Sequence, residues 1–390
     1  MTEKLYDNDS YLSEFNCKVI DLYSDEAKIY IETDRTAFFP EGGGQTSDRG
    51  WLNNIYVENV QIIDGRILHF VENSEENVKK LQKGMSICGK IDLKKRFSDM
   101  QQHSGEHIFS GIVNSLFGFN NVGFHLGTEI VTLDFDGVLN EADICKVENL
   151  VNKAIWDNLE IKILFPDKAE LENIKYRSKI EIEGQIRLVE IPGIDMCACC
   201  APHVKRTGEI GIVEVVNFEK YKGGTRVSIL CGERALFDIR HKLNENRRVS
   251  VLTCAKQGET AAAVERLKNE NEKLKYDIVG LNRNILMSKA ESIGEQNRII
   301  IFDEMLQGKL LSDFTISLMP KAMEFVAAFC GENGSYRYCI ASNNVNLRPL
   351  SKSLNEAFSG RGGGKPEIIQ GSLSGNEDEI RGFLKTYCTE

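Results

Sequence analysis

No run of roughly 18 apolar residues occurs in the 390-residue chain, so a membrane-spanning helix is not expected. The opening stretch from Met1 to Phe15 is acidic and polar, where a secretory signal would be basic and then apolar. A cytoplasmic location is expected. Basic character is missing too: 48 Lys and Arg face 58 Asp and Glu, for a formal net charge of -10. That balance argues against a protein that coats nucleic acid indiscriminately, since such a footprint is strongly basic. Local patches such as Lys94, Lys95 and Arg96, or Lys205 and Arg206, remain candidates for phosphate contact, although each alone reads more simply as a solvated face. The 11 cysteines form no disulfide framework, because they are scattered through a large chain and only Cys197, Cys199 and Cys200 cluster. Histidine is scarce, with six in all, and three of these fall in two short motifs.

With 42% hydrophobic and 27% charged residues, the chain has enough apolar material for a real core and about two to three domains. From Phe15 to about Cys88, short alternating runs such as Ala27 to Thr33 and Ile67 to Val71 predict strands. Apolar spacing then predicts a helix from Leu93 to Phe117, ending near Gly118. Ile212 to Cys231 alternates around Lys222-Gly223-Gly224 and predicts a hairpin that closes the second domain. Val264, Leu267, Asn271, Leu274, Ile278, Leu281 and Ile285 recur at spacings of three and four, which is a coiled-coil seam with Asn271 at a register-fixing position. A homodimer through residues 264–288 is expected, against the simpler alternatives of a helical hairpin or a helix laid on a domain. From Arg298 onward, strand-like RIIIF, a helix-like stretch around Lys321 to Phe329 and strand-like YCIAS predict a small α/β domain with the Gly-rich segment SGRGGGKPEIIQGS.

His103 and His107 lie four apart in the predicted helix, so both imidazoles leave from one face and reach a single ion. Alone the pair is weak evidence, because that spacing also arises by chance on a polar helix face. Cys199 and His203 add a thiolate and a third imidazole from a loop, and the four together form a credible zinc site. Four protein ligands ordinarily close a structural site, whereas hydrolysis by metal-bound water needs an open position. In Thr36 to Gln45, three consecutive glycines let backbone approach a ligand, and Gln45 supplies a side-chain amide beside Gly43 and Gly44; a simple turn is the bland alternative.

The ordered set TAFFPEGGGQTSDRG, QQHSGEHIFSG and CCAPHVKRTGEIG resembles the editing domain of alanyl-tRNA synthetases and their free-standing relatives, the AlaX proteins. The resemblance implies a zinc-dependent hydrolase of seryl or glycyl esters of tRNA(Ala). It implies His103, His107, Cys199 and His203 as ligands of one Zn2+ and Gln45 as the pocket amide. The segment SGRGGGKPEIIQGS is similar to the C-terminal DHHA1-type tRNA-binding domain of those synthetases. The fold class expected is α+β: a β-rich N-terminal domain over residues 1–90, a zinc-containing α+β editing domain over 91–248, a coiled-coil helix over 249–297 and a small α/β, DHHA1-like domain over 298–390.

Gln45, Ser104 and Glu106 are the catalytic candidates, Glu106 as proton acceptor or as a partner behind the ligands. Gly43, Gly44, His125, Arg226, Gly362, Gly363 and Lys365 are the substrate-binding candidates. The sequence departs from the family where Ser104 replaces a frequent threonine and where Cys199-Cys200-Ala201-Pro202-His203 replaces Cys-Gly-Gly-Thr-His. One methyl in a pocket is worth only about 1–3 kcal/mol, so preference among small amino acids stays open.

Two other functions compete. His103-Ser104-Gly105-Glu106-His107 also fits the H-x-x-E-H pattern of a zinc metallopeptidase, which predicts a downstream glutamate as third ligand. A non-catalytic tRNA-binding protein with structural zinc fits the four-ligand count. No Asp-His-His triplet supports a phosphoesterase, no aminoacylation domain is expected ahead of the β-rich part, and Pro366 after Lys365 excludes a P-loop.

Overall fold

The computed structural model describes residues 2–178, 186–332 and 334–388 and is mixed α+β. It divides into two compact units, Met1–Arg247 and Arg248–Glu390. No helix among the described residues is long and apolar enough to cross a membrane.

The first unit opens with a seven-stranded sheet of β1 (Glu14–Ser24), β2 (Lys28–Thr33), β3 (Gly50–Leu52), β4 (Ile55–Val57), β5 (Asn59–Ile63), β6 (Arg66–Glu72) and β7 (Ser86–Ile91), in the order β4-β3-β7-β1-β2-β6-β5. Strict alternation of buried and open positions along β2 and β7 follows from the two-residue repeat of a strand. One face therefore carries Val19, Ile31, Leu52, Val57 and Val71 into a common core.

Helix α1 (Leu93–Phe117) follows. Asp92 caps it by accepting from the Lys95 N–H, and Gly118 ends it at φ 73°, where glycine carries no Cβ penalty. Strands β8 (Asn121–Leu126) and β9 (Val131–Phe135), helix α2 (Glu141–Trp156), a three-stranded sheet of β10 (Lys162–Leu164), β11 (Leu188–Ile191) and β12 (Asp195–Ala198), and the hairpin β13 (Val213–Tyr221)–β14 (Gly224–Cys231) complete the layer around it. The hairpin turns through Lys222 and Gly223, both at positive φ, as a tight two-residue loop requires. Gly105 and Gly111 let α1 sit close: a Cβ at Gly105 would lie 2.4 Å from Cys231 Sγ, and one at Gly111 would lie 2.6 Å from the Ile194 carbonyl oxygen. Helix-interior glycine costs about 1 kcal/mol each, and the close packing offsets it.

Helix α3 (Gly232–Thr253) leads to α4 (Thr260–Ser292), which carries the apolar seam. The second unit is a five-stranded sheet, β15 (Gln296–Phe302), β16 (Ala322–Glu332), β17 (Ser335–Ala341), β18 (Arg361–Lys365) and β19 (Ile368–Ser374), in the order β15-β16-β17-β19-β18. Helices α5 (Lys309–Leu318), α6 (Arg348–Ala357) and α7 (Glu377–Thr386) complete it. The stretch Lys321 to Phe329, read as helical from sequence, is instead the end of a short 3-10 turn at Lys321 and then the start of β16 from Ala322. Its run Phe325 to Phe329 is fully buried between two neighbours, and a continuously apolar central strand has no alternation to distinguish it from a helix.

Candidate metal centre

Helix α1 is polar over Gln101 to Ser110 and nevertheless buried along that length. Most of its polar side chains have named partners. Gln102 exchanges two hydrogen bonds with the Cys231 backbone, both 2.8 Å, and Gln101 donates to the Glu209 carbonyl at 2.8 Å. Glu106 accepts from Ser110 Oγ and Asn121 Nδ2, both at 2.7 Å. Such satisfaction is what makes a buried polar face affordable.

His103, His107, Cys199 and His203 each aim one donor atom at a common point, with all four atoms within 4.8 Å of one another. A tetrahedral zinc ion with Zn–N about 2.0–2.1 Å and Zn–S about 2.3 Å separates sulfur from nitrogen by about 3.6 Å. Cys199 Sγ lies 3.5 Å from His103 Nε2 and 3.4 Å from His203 Nε2. The donor set fits a zinc-sized ion in chemistry and in spacing.

Each imidazole is also held from behind through Nδ1, so that Nε2 is left to face the cluster. His103 Nδ1 donates to Gln45 Oε1 at 2.7 Å, His107 Nδ1 to Asp195 Oδ2 at 3.0 Å, and His203 Nδ1 to Ser104 Oγ at 3.1 Å. Backing of this kind fixes tautomer and ring orientation in metal sites. Asp195 is itself clamped by Arg177 through two bonds of 2.7 and 2.8 Å. Burial would push its carboxyl up, but the bonds from His107 and Arg177 hold it below the usual range. Burial pushes His203 down to about 3, so its lone pair is free. The Cys199 thiol, which burial alone would raise, is held well below its ordinary value by His103 and His203. Three imidazole nitrogens and a thiol sulfur suit a soft-to-borderline divalent ion.

Gln45 arrives through a tight turn. Gly42 and Gln45 exchange backbone bonds of 3.1 Å, with Gly43 (φ 59°) and Gly44 (φ 82°) between them. A Cβ on Gly44 would lie 2.4 Å from the Phe124 carbonyl oxygen. Positive φ at both positions and the close approach at Gly44 are what this turn asks of its glycines. Gln45 is buried, and its Nε2 has no hydrogen-bond partner among the described residues.

Ser104 is fully buried and accepts from the Val204 N–H at 3.2 Å as well as from His203. Its hydroxyl thus grips the metal loop. Glu106 Oε2 stands 3.8 Å from His107 Nε2. On β8 it is Phe124 that meets the His103 ring, at 4.8 Å, while His125 is exposed and takes the other side of the strand. Arg226 pairs with Asp134 through bonds of 2.6 and 2.7 Å and lies over the Tyr221 ring. Gly362, Gly363 and Lys365 lie in the second unit, on the exposed edge strand β18.

The basic patch at residues 94–96 is not a phosphate-facing surface as a whole. Arg96 is fully buried on Asp48, with a further bond to the Ala37 carbonyl at 2.6 Å, and Lys95 is bound to Thr46, Ser47 and Asp99; only Lys94 is well exposed. Sequence reasoning missed Asp195, Arg177, Asp48 and Arg96 as supports of the site. Their partners are distant in sequence and leave no periodic trace.

Residues 186–228, which include Cys199 and His203, match the family described as threonyl and alanyl tRNA synthetase second additional domain. The alanyl-tRNA editing protein AlaX-L of Pyrococcus horikoshii is 28% identical over 400 residues, covering 97% of this chain and 96% of that protein. Along its whole length the chain matches a free-standing alanyl-tRNA editing protein. The mouse alanyl-tRNA editing protein Aarsd1 is 26% identical over 411 residues, covering 99% of this chain and 98% of its own. The alanine--tRNA ligase of Pyrococcus abyssi is 26% identical over 394 residues; the match takes in 95% of this chain but 42% of the ligase. The free-standing editing proteins are thus the relatives of matching length.

Proposed function

We propose that this chain is a trans-acting, zinc-dependent deacylase that removes serine or glycine from mischarged tRNA(Ala). The observation that carries the proposal is the His103–His107–Cys199–His203 cluster with its backing partners, in a chain similar from end to end to alanyl-tRNA editing proteins. The peptidase alternative needs a downstream glutamate as third ligand, whereas the four-residue cluster joins Cys199 and His203 to the histidine pair, which supports the deacylase reading.

The reaction cleaves the ester between the amino acid carbonyl and a ribose hydroxyl. Water adds its oxygen to the carbonyl carbon, and the ribose oxygen leaves with a proton. Bound zinc supplies Lewis-acid polarisation of an oxygen at the site. Gln45 keeps His103 in the tautomer with Nε2 free and presents a buried amide N–H to a substrate oxygen. Ser104 and Asp195 orient His203 and His107. Glu106 holds the underside of the helix face and is read as a positioning group.

Four protein donors also favour a second reading, a tRNA-binding protein in which zinc is structural. One assay separates the two: deacylation of seryl-, glycyl- and alanyl-tRNA(Ala) by protein as isolated, after chelation and after zinc is restored. Release of serine or glycine that is lost and regained with zinc, with alanine spared, supports the deacylase. No release by zinc-loaded protein leaves the structural reading.

The proposal extends to organisation: a β-rich part over residues 1–90, the editing part over 91–248, a dimerising helix over 249–297 and a DHHA1-like, tRNA-binding part over 298–390. Gly362, Gly363 and Lys365 are assigned to the tRNA there. The seam of α4 carries Lys268 and Lys275 along one flank and Glu270 and Asp277 along the other. Those flanks attract in a parallel pair and repel in an antiparallel one, which favours a parallel homodimer.

A further inference from the structure

The polar opening segment, Thr2 to Tyr11, touches all three motif-bearing parts of the centre. At its start, Thr2 Oγ1 donates to the Thr33 carbonyl at 2.7 Å, the Glu3 N–H to the Asp34 carbonyl at 2.8 Å, and Glu3–Lys4 pair with Arg35–Thr36. That joins it to the chain entering the Gly-Gly-Gln turn. Next, Tyr6 is 2% exposed and packs edge-on to Phe39, with ring centroids 5.5 Å apart, in one cluster with Ala201 and against Cys199. Beyond it, the Ser10 carbonyl accepts from Arg96 Nη1 of α1 at 2.9 Å. Tyr11 closes the segment. Its hydroxyl donates to Glu209 Oε2 at 2.6 Å and accepts from the Lys205 N–H at 3.0 Å, and Lys205 Nζ stands 3.5 Å from Asp9.

The loop Cys199–His203 is consequently gripped on two sides. From α1, Ser104 holds His203 and the Val204 N–H. On another side, Arg187 Nη1 donates to the Cys199 and Ala201 carbonyls at 2.7 and 3.0 Å, with Asp7 of the opening segment 3.9 Å from Arg187 Nε. Ala201 stands where the resembling family commonly has glycine, and its methyl belongs to the cluster that holds Tyr6.

We infer that the opening segment is a strap that positions the metal loop, with Tyr6 as the wedge that sets Cys199 against the three imidazoles and couples that loop to the Gln45 turn through Phe39. This rests on the metal-dependent reading above. Nothing in the strap touches the reacting atoms, so Tyr6 is a positioning residue. Rings that fill a gap between two loops act through volume, so Tyr6→Phe retains function and Tyr6→Ala does not.

The test uses the full chain and cobalt(II) as probe, with affinity and the visible d–d spectrum as readouts besides deacylation. Tyr6→Ala is expected to bind cobalt about tenfold or more weakly, in the range seen for groups behind metal ligands. Its d–d bands should weaken, and kcat should fall while KM for tRNA holds. Tyr6→Phe restores all three. Wild-type cobalt affinity and spectrum in a folded Tyr6→Ala protein overturn the strap, whether or not deacylation is ever observed. If Tyr6→Ala does not fold, Tyr11→Phe removes only the hydroxyl that pins Lys205 and Glu209. A smaller loss of cobalt affinity with faster amide exchange across Cys199–Glu209 then supports the strap, and no change in either overturns it.

Discussion

Helices α1 and α4 invert the usual relation between composition and burial. Helix α1 carries Gln101, Gln102, His103, Ser104, Glu106, His107 and Ser110 into the interior, whereas α4 leaves Leu267, Leu274, Ile278 and Leu281 47% to 61% exposed. An unsatisfied buried hydroxyl or amide costs about 1–3 kcal/mol, so a helix that buries a whole polar face must be built around its partners. Leaving a leucine in water forgoes about 1.5–3 kcal/mol of burial, which is what the proposed pairing of α4 would recover. The first helix gathers polar groups with partners, and the second keeps its apolar seam exposed.

The largest break in that comparison comes from the α1 cluster. His103→Ala is expected to abolish stoichiometric zinc in the purified protein and with it deacylation, while seam substitutions in α4 leave zinc content unchanged. Behind the ligands, Asp195→Asn should weaken metal affinity by about 10- to 100-fold, read by competition with a chromophoric chelator. Unaltered affinity would remove Asp195 from the centre's support. Next is Arg96, fully buried on Asp48 at the start of the same helix. Arg96→Met strands the Asp48 carboxylate and should cost about 3–5 kcal/mol in urea unfolding, because breaking a buried pair leaves a lone charge. A loss under 1 kcal/mol would mean that water reaches the site and that α1 is less sealed than its burial implies.

Part of this contrast was readable from sequence. The grouping of His103, His107, Cys199 and His203 was, because a spacing of four on a helix and a short Cys-x-x-x-His loop each force proximity locally. The bounds of α1 were as well, since Asp92 and Gly118 are capping chemistry at either end. What lay hidden depends on contacts across tens of residues: Gln45 to His103, Asp195 to Arg177, Asp48 to Arg96, and Tyr6 to Ala201. Polar residues in the opening segment argued only against a signal sequence, and nothing in their pattern distinguishes a strap from a tail. Lys321 to Phe329 was misread because a strand buried on both faces loses the alternation that identifies strands.

A fourth buried histidine sharpens what is special about α1. His69 on β6 is fully buried and belongs to no cluster of metal donors among the described residues: Nδ1 donates to the Ile31 carbonyl at 2.9 Å, and Thr36 Oγ1 donates to Nε2 at 2.8 Å. Burial pushes it down to about 4 from an ordinary 6.5. Below pH 6.5 the unfolded chain takes up a proton that the folded chain refuses until about pH 4, so stability falls as pH falls through that window. The expected loss is about 3 kcal/mol from the 2.5-unit interval. His69→Gln should flatten that part of the pH–stability profile, and an unchanged slope would place the acid sensitivity elsewhere. Metal affinity should not respond to His69→Gln at all.

The smallest effect on folding, and the one that bears on α4, is expected from its seam. Leu274→Lys places a charge where Leu274 is 60% exposed, so unfolding of the single chain should change by no more than about 0.5 kcal/mol, as surface substitutions do. Sedimentation should change much more, from a dimer to a monomer, with zinc content intact. The last turns of the helix behave differently because Leu286 and Ala290 pack into the second unit's own core, so Leu286→Lys should unfold that unit rather than merely separate chains. If wild-type protein sediments as a monomer, the seam does not pair two copies, and the simpler alternatives of a helical hairpin or a helix laid on a domain take the dimer's place.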